Sequence, residues 1–104
     1  MPERKFKRYF EVDSSEIQGE GSFVKFRRLN YSEMRPLLDK SETLLRIDIV
    51  AASIVGWNWV DDNGAPIPLP ENDPDMMKTV LVQQEINWLI DALTSATEQV
   101  NPKN

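Results

Sequence analysis

The side chains that could do chemistry in this 104-residue chain are carboxylates, basic groups and three tryptophans; cysteine and histidine are both absent. Without cysteine there is no disulfide, thiolate nucleophile or zinc-thiolate site. Without histidine the commonest general base and metal ligand is missing. Asp61-Asp62-Asn63-Gly64, with Glu71, Asp73 and Asp75 downstream, does gather oxygen donors. A calcium loop of the EF-hand kind needs ligands at alternate positions, a glycine at the sixth and a glutamate at the twelfth. Here Gly64 comes two residues early, and Pro66 and Pro68 follow within the loop, so the stretch reads as an acidic turn. Paired carboxylates can act as acid and base, but each candidate lies in a segment that reads as solvated loop or polar helix face. No glycine-rich phosphate loop accompanies them. The residue types therefore predict a protein that is not an enzyme and has no catalytic, metal or cofactor site.

Binding chemistry is better represented. Arg4, Lys5, Lys7, Arg8, Lys25, Arg27 and Arg28 are interleaved with Phe6, Tyr9, Phe10, Phe23 and Phe26. Such a surface can hold single-stranded nucleic acid by stacking and phosphate contact; equally, the aromatics can be the core face of a hairpin and the charges its wet face. With 12 basic against 17 acidic side chains the net charge is −5, which opposes a nucleic-acid or anionic-membrane partner. Trp57 and Trp59 share strand parity, so in an extended segment both indoles face one way. They can anchor a core or, because tryptophan is enriched at binding hot spots, a partner. The candidate contact residues are Trp57, Trp59, Phe23 and Phe26, with Arg27 and Arg28 at the rim.

Positioning these residues requires an α+β domain over residues 1–100. Residues 4–12 and 22–29 alternate apolar and polar side chains and predict an antiparallel hairpin over 4–29, with a long mobile tip built on Gly19 and Gly21. A lone hairpin is marginal, so two or three helices or a neighbouring subunit must cover it. Residues 31–55 read as helical. Ser32 caps a short first helix with Pro36 at its fourth position. Ser41 caps a second helix, in which Leu44, Ile47, Ala51 and Ile54 repeat at helical spacing and which Gly56 stops. Residues 56–72 form a tryptophan- and proline-rich strap with a turn at Asn63-Gly64. Pro66, Pro68 and Pro70 fall on one side of it, Ile67 and Leu69 on the other. The last helix spans 73–98: Asp73 caps it, Pro74 opens it, and Val82, Ile86, Leu89, Ile90, Leu93 and Val100 make its apolar stripe beside Met77, Leu81 and Trp88. Residues 101–104 are expected to fray.

The charge is unevenly placed: residues 1–52 carry a balance of +1 and residues 53–104 one of −6. One half can therefore attract the other half of a second copy, or an extended partner of either sign, and self-association is expected. The basic start has no apolar stretch behind it, so no signal peptide is predicted. The longest apolar run, 49–55, falls far short of the roughly 20 residues of a membrane span, which places the chain in the cytoplasm.

Gly21-Ser22-Phe23-Val24-Lys25-Phe26-Arg27-Arg28-Leu29-Asn30-Tyr31-Ser32-Glu33 resembles the opening of the tail assembly chaperones of long-tailed bacteriophages. The passage from Ile54 through Trp57, Trp59, Asp61-Asp62-Asn63-Gly64 and the three prolines to Pro70 is similar to the one those proteins carry before their last helix. The resemblance implies a non-enzymatic protein of the host cell cytoplasm, without cofactor, that coats the tape-measure protein and helps recruit tail-tube subunits. Such a protein leaves before the tail is finished. A nucleic-acid-binding regulator using the hairpin, and a permanent head–tail component, are the alternatives.

Overall fold

The computed structural model describes residues 6–38, 43–71 and 73–98. The chain is α+β, a three-stranded antiparallel sheet packed on helices. In order it runs β1 (Tyr9–Asp13), α1 (Ser15–Gln18), β2 (Phe23–Arg27), α2 (Tyr31–Leu38), α3 (Thr43–Ser53), β3 (Ile54–Trp57), α4 (Pro74–Val80) and α5 (Gln83–Glu98). The sheet order is β1-β2-β3, with β2 central.

The predicted hairpin forms. Phe10 pairs with Phe26 and Val12 with Val24 on the inner face, where the Phe10 and Phe26 rings lie 5.5 Å apart. Its tip is not a loose loop. Residues 15–18 make one helical turn, Gly19 and Gly21 take positive φ, and Ser14 N donates to Ser22 O. The inner face packs on Ile47, Val50 and Ala51 of α3 and Leu89, Ile90 and Leu93 of α5, all buried.

Several expected boundaries move. The second helix was expected to run on to a stop at Gly56, but it ends at Ser53 and the chain passes directly into β3. There Ile54 pairs with Phe26 and Trp57 with Val24. The central strand offers an open edge, and the β-branched pair Ile54-Val55 fills it at the expense of continued helix. The first helix is capped by Asn30, not Ser32: Asn30 Oδ1 accepts from Glu33 N and Glu33 Oε1 accepts from Asn30 N, a reciprocal capping box. Pro36 is thus at the sixth helical position instead of the fourth. Asp73 caps as expected, accepting from Asp75 N, with Pro74 next to it.

The single last helix is two helices. Leu81 turns extended (φ −91, ψ 147) and closes α4 through its N–H on Met77 O. Glu85 Oε1 then accepts from Val82 N to open α5. The break lets Met77 and Leu81 bury on one helix and Leu89, Ile90 and Leu93 on the other, and it leaves Val82 57% exposed instead of on the stripe. Pro70 also departs from its expected side: it is buried while Pro66 and Pro68 are exposed. Arg4, Lys5, Ser41, Val100 and the tail 101–104 lie outside the described residues. Among the described residues no helix is long and apolar enough to cross a membrane.

Candidate functional site

The three tryptophans form a row. Trp57 and Trp59 stack with ring centroids 4.7 Å apart and planes 8° from parallel, as strand parity predicts. Trp88, from α5, lies 6.1 Å beyond Trp59 at a tilt of 53°. Each indole N–H is used: Trp57 Nε1 donates to Ile67 O (2.9 Å), Trp59 Nε1 to Ser14 Oγ (2.9 Å) and Trp88 Nε1 to Glu16 Oε1 (2.7 Å). Ser14 Oγ in turn donates to Ser22 Oγ, so a buried polar chain ties the hairpin tip to the row.

The segment carrying Trp59 is a small hairpin-like arm. Ile67 N donates to Trp59 O, Val60 and Pro66 form a bridge, and Gly64 supplies the positive φ at its turn. The Asp61 carboxylate accepts from the N–H groups of Asn63 and Ala65 and so shapes that turn. The tip grips the arm from the other side. Gln18 exchanges both amide atoms with the Val60 backbone and donates to Glu85 Oε2, while Asn58 bonds Phe23 N and Gly21 O.

These contacts decide which expected contact residues are available. Trp59 and Phe26 are fully buried, and so belong to the core rather than to a contact surface. Burying an indole or phenyl ring this completely contributes about 2–3 kcal/mol. Trp57 and Phe23 are half-buried. Arg27 forks onto Glu33, at 3.2 and 3.0 Å, beside the α2 cap. The hydrogen bonds from Arg27, then that from the Asn30 N–H, hold the Glu33 carboxyl below its ordinary value, and the same fork raises the Arg27 guanidinium. Arg28 lies over Phe10 (4.4 Å) and Phe6 (5.4 Å) and donates to Lys7 O. Both arginines are thus committed to partners within the fold. Asp13 is likewise lowered, by the Ser15 hydroxyl and then its N–H.

Two clefts remain. One, of about 310 Å³, has Val12, Ala92 and half-buried Trp88 as its apolar lining and Asp13, Glu16 and Asp91 around it, along the edge strand β1. The other, of about 340 Å³, lies between the arm and the α4–α5 break: Val60, Ile67, Val80 and Val82 line it, with Asp61, Asp62 and Glu85 at the rim. Neither is lined by a basic side chain.

No protein-family model, curated protein or solved structure matches this chain.

The lining residues Trp88, Glu16, Asp91, Val60, Val80 and Val82 were not among the expected contacts. Trp88 carried a signal as a tryptophan beside an apolar stripe; Val82, expected on that stripe, is at the surface where the helix breaks, next to exposed Val80.

Proposed function

We propose that this protein is a non-enzymatic polypeptide-binding factor of phage tail assembly, covering apolar surface of the tape-measure protein in the host cytoplasm and possessing no cofactor. The observation that carries this reading is the Trp88 cleft: an indole set among Val12 and Ala92, with three carboxylates around it, beside an edge strand. A long helical client presenting apolar side chains flanked by Lys or Arg is complementary to such a floor and rim. The two stretches that carry the family resemblance also touch, through the β2–β3 pairing and the Asn58 contacts; this supports treating them as one unit. The tail-tube protein is a second client in this reading. Nucleic acid suits the surface poorly, given the net charge of −5 and the internal commitments of Arg27 and Arg28.

Co-expression with a phage tape-measure protein tests the reading. A soluble complex is expected, and Asp91→Lys with Ser95→Lys, both exposed, should weaken it by about tenfold at low salt. A tape-measure protein that stays insoluble in its presence counts against the proposal. The factor is also expected to be absent from purified virions; finding it there favours a permanent head–tail component.

A further inference from the structure

We infer that the valine cleft is the socket for a second copy of this chain, whose basic-aromatic entry to β1 is the plug. The cleft exposes Val60 (37%), Val80 (45%) and Val82 (57%) under the carboxylates of Asp61, Asp62 and Glu85. The plug is Phe6-Lys7-Arg8-Tyr9, where Phe6 and Tyr9 are 40% and 46% exposed and Lys7 and Arg8 are exposed between them. Apolar surface meets apolar surface, and cations meet carboxylates.

The plug cannot fill its own socket. The hairpin tip is bonded to the socket through Gln18, which holds Val60 and Glu85. The plug sits at the opposite end, where Arg8 O accepts from Arg28 N. From Arg8 to Ser14 the chain advances six residue steps, through the five-residue strand β1, which puts the two about 20 Å apart. Because socket and plug are different surfaces, the contact is head-to-tail and leaves one of each free at the ends of every open assembly. This deepens the assembly role proposed above and rests on it for its purpose. Its test uses the purified chain alone, so loss of self-contact and loss of client binding are read separately.

Sedimentation velocity over a concentration series is the measurement. At low salt the average mass is expected to rise past that of a dimer, and to fall toward the monomer as salt screens the rim. Val82→Asp removes the socket; Lys7→Gln with Arg8→Gln removes the plug. All three positions are exposed, and near-UV circular dichroism checks that each variant folds, with Val80→Asp as a second socket variant. Each variant alone should associate about tenfold more weakly or worse. Mixed, the socket and plug variants should form a one-to-one dimer that grows no further, since one intact socket and one intact plug remain. A wild-type chain that stays monomeric at every concentration overturns the inference. So does an oligomer that survives both variants, or a mixture that gives no dimer.

Discussion

Ser14 closes the tryptophan row: its hydroxyl accepts from Trp59 Nε1 and donates to Ser22 Oγ, with Ser14 and Trp59 fully buried. In Ser14→Ala the indole N–H loses its acceptor in a place water does not reach. The expected cost is about 1–3 kcal/mol in urea unfolding, and an unchanged midpoint would mean that the N–H finds another partner. Glu33 is the residue through which acid should act. Its carboxyl is held below the ordinary value of 4.5 by the Arg27 fork and the Asn30 N–H. As pH falls below that value the unfolded chain takes up a proton before the folded one does. The stabilisation is therefore complete above about 4.5 and is lost as pH drops through the lowered value. The pair is partly exposed, so the effect is small. Urea midpoints measured against pH should slope less steeply in Glu33→Gln than in the native chain; identical slopes would remove Glu33 from the account.

At the scale of elements, Gly56 and Gly64 have opposite structural needs. Gly56 looked like the left-handed stop of a helix, yet it lies in β3 without positive φ, and an added Cβ would meet only Lys25 Cβ at an ordinary 3.6 Å. Gly64 has φ +79 in the turn of the arm. Gly56→Ala is therefore expected to leave stability unchanged or raise it by up to about 1 kcal/mol. Gly64→Ala should cost about 1–2 kcal/mol, because a side chain opposes left-handed backbone. Thermal unfolding of the two variants checks this, and a severe loss in Gly56→Ala would argue against the third strand. The α4–α5 break follows the same logic of competing elements. A continuous helix would keep one apolar stripe, whereas two helices bury Met77 and Leu81 as well as Leu89, Ile90 and Leu93.

Across the whole molecule, the row of indoles joins β3, the arm and α5, and the hairpin tip is bonded to the arm and to α5. No element of this set can detach without exposing a buried ring. Tryptophan fluorescence, which reports the row, and far-UV circular dichroism, which reports the helices, should therefore lose signal at one denaturant midpoint. Separate midpoints would show that the row and the helices unfold independently. The uneven charge is expected to act at this scale too, through the salt dependence of the proposed self-association.

The hairpin strands, the Asp73 cap, the Asn63-Gly64 turn and the common facing of Trp57 and Trp59 were legible in the amino-acid order, because each depends on groups a few positions apart. The third strand, the helix break, the capture of the hairpin tip and the burial of Trp59 and Phe26 were not. Their energies come from partners far along the chain: Phe26 for Ile54, Gln18 for Val60, Glu16 for Trp88. The sequence by itself determined that aromatic and charged side chains would be brought together without thiol or imidazole chemistry. Only the tertiary structure decided which of them remain at the surface, since a ring is withdrawn from water by whatever the rest of the fold lays over it.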